Sequence, residues 1–317
     1  MGKTGFYTSE KCHLHEMGQG HPECPQRLDA IADRLLITGL DVALEMRQAP
    51  MALEQDVLTV HDPLMVADLK TKAERLSVDV SVSSPQYVHI DPDTSMNAFT
   101  WQAALSSVGA ALAATDAVID GELENAFCCV RPPGHHATRS QAMGFCFFNN
   151  VAVAAKHALD ARGLERIAVV DFDVHHGNGT EDILAGDERA LMVSFFQHPF
   201  YPYSVLNPAP SNMLNVPLTA YTKGDEVKRV VLEQWVPRLE AHRPQMIFIS
   251  AGFDGHRDDE MGQMLLKEAD YHWITAQIVK VAQKYAHGRI VSCLEGGYDL
   301  RSLGTSVEAH LRALIDG

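Results

Sequence analysis

The sequence has no long apolar run and little positive charge. No stretch of about 18 consecutive apolar residues occurs, which argues against a membrane-spanning helix, and MGKTGFYTSE at the start has no apolar signal-peptide core. Lys and Arg number 26 against 41 Asp and Glu, so the formal net charge is -15 at pH 7. A chain this acidic lacks the electrostatic footprint of a nucleic-acid or anionic-membrane binder. We therefore expect a cytoplasmic protein with neither partner.

Cysteine is also scarce. The six cysteines form no C-x-x-C framework, and a chain of 317 residues needs no disulfides to hold its core, so we expect reduced thiols. With 46% hydrophobic and 21% charged residues, the composition is that of an ordinary globular protein. No repeat, low-complexity tract or linker divides the chain. We expect a single domain over residues 1–317, with the oligomeric state, including a homo-oligomer, left open.

Helical periodicity alternates with short β-like runs. The helical stretches are residues 25–40, 101–119, 150–161, 225–239, 268–285 and 302–315. The β-like runs between them are residues 126–130, 167–170, 191–195, 246–249 and 289–294. Strands that alternate with helices indicate βαβ units. The sequence therefore predicts an α/β fold with a central, mostly parallel sheet flanked by helices on both faces.

Polar motifs follow four of the predicted strands. RPPGHHA follows Val130, DFDVHHGNG follows Val170, SAGFD follows Ile249, and EGGYD follows Leu294. In open α/β sheets, binding sites form beyond the carboxyl ends of the strands. Sheet packing alone does not require His, Asp and Tyr at four such ends, so we predict that these motifs converge on one site.

The second motif has the spacing of a metal site. Side chains two residues apart in extended chain face the same way, so Asp173 and His175 can chelate one cation, with Asp254 arriving from a neighbouring strand. Two carboxylates and one imidazole leave positions free for water and substrate, as a catalytic metal requires. Zn²⁺ is the first choice, while the oxygen donors also suit Fe²⁺ or Mn²⁺. The alternative, a solvated turn with a chance histidine, leaves the other three motifs unexplained.

The adjacent histidines His135 and His136 are candidates for acid–base chemistry. A neutral imidazole is the usual general base near pH 7, and Asp171 and Asn178 are available as hydrogen-bonding partners. Tyr298 follows two glycines that let the backbone approach closely, and a phenol there can donate to a developing oxyanion. Taken singly, the histidine pair would be read as a surface loop and the tyrosine as a core residue.

Together these motifs resemble the histone deacetylase superfamily. RPPGHHA, MGFCFFNN, DFDVHHGNGT, NVPL, SAGFD and LEGGY occur in the order found in that family, over residues 21–298. Class I members usually carry Asp where this chain has Asn178, so the chain is similar to the class II branch, which includes bacterial amidohydrolases and acetylpolyamine amidohydrolases. The resemblance implies an arginase-like fold and one deacetylase-like catalytic domain over residues 1–317.

The same resemblance implies a metal-dependent hydrolysis. The expected reaction removes acetyl or other acyl groups from Nε of acyl-lysine in proteins or peptides. The alternative substrates are acetylpolyamines or other small N-acetylamines. The implied site comprises metal ligands Asp173, His175 and Asp254, the general base His136, the stabilising pair His135 and Asp171, and the oxyanion donor Tyr298. The intact set argues against a non-catalytic acyl-lysine reader, and the histidine pair argues against a two-manganese ureohydrolase.

The family's acyl-lysine tunnel also has counterparts here. The matching positions are Gly134, Gly144, Phe145, Tyr201, Met261, Gly296 and Gly297. Arg27 resembles an arginine near the inner cavity of many relatives, with a structural ion pair as the alternative. Relatives bind a monovalent cation, usually K⁺, at positions that correspond to Asp171, Asp173, His175, Ser194 and Phe195.

The tunnel mouth departs from the family pattern. Tyr203 stands where relatives usually have glycine, and prolines follow it, which predicts a stiffer rim loop. Met261 stands where polyamine-selective relatives carry glutamate, with Glu260 beside it, and this favours acyl-lysine. Asp91 and Asp93 both suit the rim aspartate that grips the substrate backbone.

A cluster near the start of the chain allows two interpretations. CHLHEMGQGHPEC contains Cys12, His13, His15, His21 and Cys24. These residues could hold a structural zinc, although their spacing is irregular. The alternative is an entrance loop.

Overall fold

One eight-stranded sheet organises the protein. The structure, a computed structural model, describes residues 3–76, 86–204 and 210–317. The sheet strands are β1 (Thr4–Thr8), β2 (Leu44–Gln48), β5 (Asn125–Cys128), β6 (Ile167–Asp171), β7 (Ala190–Gln197), β8 (Met213–Leu218), β9 (Ile247–Ala251) and β10 (Ile290–Leu294). Their order is β2-β1-β5-β10-β9-β6-β7-β8, and every neighbouring pair is parallel. Two short strands, β3 (Val88–His89) and β4 (Ser95–Met96), form a separate antiparallel pair.

Helices cover both faces of this sheet. They are α1 (Glu10–Leu14), α2 (Gln26–Thr38), α3 (Glu54–Val57), α4 (Pro63–Arg75), α5 (Thr100–Ile119), α6 (Asn150–Asp160), α7 (Asn178–Leu184), α8 (Gly224–Val230), α9 (Val236–His242), α10 (Glu268–Tyr285) and α11 (Leu300–Ile315). Every residue of β5, β6, β7, β9 and β10 is buried. Since successive side chains of a strand point to opposite faces, both faces must be covered, as in α/β proteins.

The predicted elements agree with this architecture, and the differences have local causes. The predicted helix over residues 225–239 is divided by a π-helical turn over Val231–Trp235. Pro237 lies in the first turn of α9, where a missing N–H is tolerated, but it cannot donate to the carbonyl one turn earlier. Strands β1, β2 and β8 escaped prediction. LEMRQ of β2 has one buried residue and contains Glu45 and Arg47, and MLNVPL of β8 is interrupted by Asn215 and Pro217, so neither is a continuous apolar run.

Helix α5 lies in the core. Within the described ranges it is the one helix that is long and apolar enough to cross a membrane, yet 72% of its most apolar segment is buried inside the protein. Gly109 lets it approach the chain at Pro50, because a Cβ at this glycine would lie 2.0 Å from the Pro50 carbonyl oxygen. The apolar character of α5 is therefore accounted for by close packing.

The strand order sets the place of the site. β5, β10, β9 and β6 are consecutive neighbours in the sheet, and they are the strands after which the four polar motifs follow. Since all four run in the same direction, their carboxyl ends meet at one edge.

Candidate active site

Two neighbouring strands deliver a group of metal-type ligands. Asp173 and His175 follow β6, and Asp254 follows β9. One potential ligand atom from each residue lies within 4.8 Å of the others, and all three side chains are buried. His175 Nδ1 lies 3.0 Å from Asp173 Oδ1 and 3.2 Å from Asp254 Oδ2. This geometry could hold a single divalent cation.

The environment of these donors fits such an ion. Asp254 Oδ2 is buried, and no donor in the described residues reaches it with hydrogen-bond geometry, despite the proximity of His175. Burial raises the pKa of Asp254 to about 6, and repulsion from Asp173 adds to this. A buried carboxylate oxygen without a partner is costly. A cation bound between the carboxylates would remove that cost.

Two of the ligands stabilise each other electrostatically. Burial alone would raise the pKa of Asp173, but His135 and His175 outweigh it and lower that pKa. Burial alone would lower the pKa of His175, but the nearby carboxylates of Asp173 and Asp254 raise it to about 10. A divalent cation would therefore compete with a proton for His175.

The two adjacent histidines occupy different electrostatic environments. Their rings lie 4.1 Å apart. His135 Nδ1 donates to Asp171 Oδ2 at 3.0 Å, whereas His136 Nδ1 donates to the neutral Asn178 Oδ1 at 2.7 Å. The described residues therefore pair one imidazole with a carboxylate and the other with an amide. For His136 this bond leaves Nε2 as the unprotonated nitrogen.

The pKa values of the two histidines diverge accordingly. Burial lowers the pKa of His135, but Asp173 and Asp171 more than offset this and raise it well above its usual range. Burial lowers the pKa of His136 as well, and repulsion from His135 and His175 deepens the shift. His136 is thus kept neutral and able to accept a proton, whereas His135 is kept cationic.

Tyr298 faces the same pocket from β10. A cavity of about 290 Å³ is lined by Asp93, Pro133, His135, His136, Gly144, Phe145, His175, Phe200, Tyr201, Tyr203, Glu260, Met261, Gly296 and Tyr298. The Tyr298 ring packs edge-on against Phe145 with centroids 5.9 Å apart. Burial raises the pKa of Tyr298 well above its usual range, so its hydroxyl keeps the proton that it would donate.

Most of the predicted tunnel residues line this cavity, but two glycines do not. A Cβ at Gly144 would lie 2.5 Å from the His136 ring and 2.9 Å from the Tyr201 hydroxyl. Only a glycine at this position therefore allows the backbone to lie so close to His136 and Tyr201. Gly134 instead packs on the backbone at Asn150, and Gly297 packs against Leu303 with φ +120. These last two glycines shape the turns that present His135 and Tyr298.

Arg27 forms the ion pair that was its alternative interpretation, and its place near an inner cavity stays a prediction. It is fully buried and pairs with Glu23 at 3.1 Å. Its Nε also donates to the Gly297 carbonyl at 2.6 Å, and its guanidinium carbon lies 4.9 Å from the centre of the Tyr298 ring. The ion pair therefore stands directly behind the turn that carries Tyr298.

Comparisons with known proteins identify relatives of this chain. A family described as "Histone deacetylase domain" matches residues 21–314. A "Histone deacetylase-like amidohydrolase" of Pseudomonas aeruginosa is 34% identical, over 93% of this chain and 82% of that protein. The mouse "Polyamine deacetylase HDAC10" is 36% identical, but the chain, of which 92% is matched, spans only 45% of that protein. The solved structure of the HDA15 HD domain superposes with a TM-score of 0.90 at 31% identity, covering 99% of this chain and 88% of that one.

The chain belongs to the histone deacetylase family. The predicted family and its arginase/deacetylase-like fold are thereby confirmed. Membership indicates a hydrolase of the deacetylase and amidohydrolase type.

The predicted monovalent-cation positions share Asp173 and His175 with the group of divalent-metal ligands and add Asp171, Ser194 and Phe195. Asp171 Oδ1 accepts from the Asp173 N–H at 3.1 Å. Ser194 Oγ donates to Asn215 at 2.9 Å, and the buried Phe195 stacks on Trp235. A K⁺ ion here stays a prediction.

The amino-terminal cysteine and histidine cluster is not a metal site. Cys12 is buried 3.9 Å from Ser107, His13 pairs with Asp29 at the surface, and His15 lies 2.8 Å from Thr100 Oγ1. Within the described residues, Asp173, His175 and Asp254 are the one group with metal-site geometry. The structural-zinc interpretation is therefore wrong. Cys12 and His13 lie in α1, and the loop that follows reaches the rim of the cavity, where His21 Nε2 donates to the Asp93 carbonyl at 3.0 Å.

The two candidate rim aspartates, Asp91 and Asp93, have different surroundings in the structure. Asp91 Oδ1 accepts from the N–H groups of Asp93 and Thr94, and its Oδ2 accepts from Gly144 at 3.3 Å. Asp93 lines the cavity. Tyr203 also lines it, is 75% exposed and has φ +60, a left-handed conformation that explains why glycine suits this position. The predicted stiffening of the loop beyond it concerns residues 205–209, outside the described residues.

The sequence interpretation missed two buried carboxylates. Glu295 Oε2 accepts from the N–H groups of Gly134 and His135 at 2.7 and 3.1 Å, and burial raises its pKa to about 7. Asp259 accepts from backbone N–H groups on the loops that carry Met261 and Tyr298. Glu295 lies inside the LEGGY motif, so that motif was the available signal. For Asp259 the sequence offered no signal beyond its place after SAGFD.

Proposed function

We propose that this protein is a zinc-dependent deacylase that removes acetyl groups from Nε of acyl-lysine in proteins or peptides. One observation carries the proposal: Asp173, His175 and Asp254 converge beside His136, an imidazole kept neutral, and Tyr298, a phenol kept protonated, around one cavity. A divalent ion held by the three ligands would polarise the scissile carbonyl and acidify water.

The chain's own residues account for the proton transfers. His136 Nε2 accepts a proton from the attacking water, whose oxygen forms a bond to the carbonyl carbon. The C–N bond then breaks, and His136 returns the proton to the leaving amine, giving acetate and lysine. His135, held cationic by Asp171 and Asp173, stabilises the negative charge that develops nearby. Tyr298 donates a hydrogen bond to the carbonyl oxygen.

The cavity suits an acyl-lysine side chain. Phe145 and Tyr201 supply aromatic walls for the aliphatic stem. Met261, an uncharged side chain, also lines the cavity, so the described wall at this point offers no carboxylate to a distal amine. These features favour a substrate with a long apolar side chain that ends in an amide.

A second candidate function has its own support. The carboxylates Asp93 and Glu260 line the cavity, and one relative is named a polyamine deacetylase. An acetylated polyamine carries positive charge beyond its amide and would be attracted to them. Glu260 is exposed and neighbours Met261, so we place this function second.

Substrate preference is tested with matched substrates. Protein whose zinc and iron content has been measured is assayed against an acetyl-lysine peptide and against acetylputrescine. We expect a higher kcat/KM for the peptide. A higher value for acetylputrescine would overturn the preferred substrate and leave the deacylase chemistry standing.

The assignment of chemical roles is tested by substitution. We expect His136→Ala and Tyr298→Phe each to lower kcat by at least about 10²-fold while the metal stays bound. His157→Ala is the matched control, since His157 pairs with Asp116 at the surface. Near wild-type turnover by His136→Ala would reject the base assignment.

A further inference from the structure

Asp259 is a nearly buried carboxylate that bonds to two separate loops. Only 5% of it is exposed. Its Oδ2 accepts from the backbone N–H groups of Tyr298 at 2.5 Å and Asp299 at 3.0 Å, and its Oδ1 accepts from Met261 at 2.9 Å. Hydrogen bonds to a charged acceptor are about twice as strong as neutral ones. Asp259 therefore ties the Gly-Gly-Tyr turn after β10 to the loop after β9.

The turn that it holds has little rigidity of its own. Gly296 and Gly297 precede Tyr298, and Gly297 has φ +120, a conformation open to glycine and rare for other residues. On the opposite side of the turn, Arg27 donates to the Gly297 carbonyl at 2.6 Å. An anion at the N–H groups and a cation at the carbonyl together fix the backbone from which the Tyr298 phenol projects.

Asp259 does not belong to the cavity wall. The described lining includes its neighbours Glu260 and Met261 and its partner Tyr298, but not Asp259 itself. Asp259 can therefore act on the reaction through the groups that it holds, and through its charge, which also raises the pKa of Asp254.

We propose that Asp259 is a positioning residue that sets the place of the Tyr298 hydroxyl in the reaction. This inference rests on the proposed function. An oxyanion donor contributes only when it lies about 2.7–3.1 Å from the developing charge, and a displacement of about 1 Å can cost up to 10²-fold in rate. A backbone anchor at Tyr298 itself is the shortest route by which the fold can control that distance.

A purely structural role predicts a different outcome. If Asp259 only satisfied buried N–H groups, its loss would reduce stability or the folded fraction, and activity would fall by the same factor whatever residue occupies position 298. If it positions the phenol, its loss should matter only when the phenol is present. A double-mutant cycle separates these cases.

The experiment compares Asp259→Asn, Tyr298→Phe and the double variant, with Asp258→Asn as the matched control. Asn keeps the shape of Asp but has one acceptor oxygen, so at least one of the three N–H groups loses its partner. The Asp258 side chain is 58% exposed and one residue away. Each protein is checked for metal content and for its far-UV circular dichroism spectrum and Tm before its kcat and KM for an acetyl-lysine peptide are measured.

We expect Asp259→Asn to lower kcat by about 10-fold with KM changed by less than about threefold. In the Tyr298→Phe background the same change should lower kcat by less than about twofold. Equal factors in both backgrounds, or an unchanged kcat in the single variant, would overturn the inference. If Tyr298→Phe alone left kcat unchanged, the oxyanion donor of the proposed function would fall as well, so the two failures are distinguishable.

A second variant guards against a folding defect. If Asp259→Asn does not fold, Asp259→Glu keeps the charge and both acceptor oxygens but shifts their position by one methylene. We expect it to lower kcat about threefold when Tyr298 is present and to have no effect in the Tyr298→Phe background. Equal loss in both backgrounds would again overturn the inference.

Discussion

The two ends of the central strands differ sharply in what they bury. At the carboxyl ends, Asp171, Asp173, Asp254 and Glu295 lie together out of contact with water. At the amino end of β5, by contrast, the buried side chain of Asn125 is neutral, and its Nδ2 donates to the Leu314 carbonyl at 3.0 Å. The same β-strands therefore join a region of high electrostatic cost to one of ordinary packing.

The two ends of the strands therefore contribute differently to stability and to reactivity. Buried carboxylates with raised pKa values reduce the stability of a folded chain, and they cluster where chemistry needs them. The neutral end can supply stability without interfering with the reaction. The division predicts that substitutions at the two ends will affect activity and stability in opposite ways.

The largest effect is expected at Asp254. Asp254→Asn removes a charged ligand, so we expect loss of bound metal and kcat below about 1% of wild type. In the presence of a chelator, the variant should be more stable at pH 8. The ionised carboxylate, whose pKa is raised to about 6, destabilises the native state above that pH. Metal analysis, turnover and Tm with EDTA provide the three measurements.

The size of the Tm difference between chelated Asp254→Asn and the chelated parent should depend on pH. Below about pH 4 the carboxyl is protonated in both the native and the unfolded state, so the advantage of Asn should vanish. A chelated Asp254→Asn protein less stable than the chelated parent at pH 8 would contradict the electrostatic cost assigned to this end.

A smaller effect is expected at Asn178. Asn178→Asp gives His136 an anionic partner, which stabilises the imidazolium and raises the pKa of His136. As pH falls, His136 would then become protonated at a higher pH than in the wild type. The acid limb of the kcat/KM profile should therefore move up by about one pH unit. Asn178→Ala is the control and should leave that limb at or below its wild-type position. An unmoved limb in Asn178→Asp would mean that another group sets it.

The smallest effect on catalysis is expected at Asn125. Asn125→Ala removes a buried hydrogen bond at the far end of the sheet, and the unfolding free energy should fall by about 1–3 kcal/mol. We expect kcat/KM to stay within about twofold, because no site residue moves. Urea unfolding and steady-state kinetics measure the two quantities. A fivefold loss of kcat/KM would show that the two ends are energetically coupled.

The sequence predicted the centre of the fold better than its edges. Buried parallel strands are nearly continuous apolar runs, so 167–170 and 246–249 stood out, whereas LEMRQ of β2 has one buried residue and no such pattern. For the site, Asp173 and His175 were recognisable because they share one segment. Asp254 was recognisable because it ends a neighbouring strand.

The residues that hold the site in place were beyond sequence reasoning. Glu295 and Asp259 act on backbone N–H groups, which every residue except proline carries, so no side-chain pattern marks their partners. Likewise, Cys12 and His15 contact residues of α5 while His13 pairs with Asp29 at the surface, an arrangement that spacing could not reveal. Spacing can suggest candidate ligands, but tertiary packing decides which of them meet.

Two glycines hold the carboxylates of the metal-ligand group, Asp173 and Asp254, in place. A Cβ at Gly252 would lie 2.0 Å from Asp173 Oδ2, and a Cβ at Gly296 would lie 2.0 Å from Asp254 Oδ2, so main chain, not side chain, presses on both carboxylates. Main chain in this position cannot rotate aside as a side chain can. The metal-ligand group should consequently keep its shape whichever divalent ion binds, so a spectroscopically active ion such as cobalt would report on the same surroundings as a silent one.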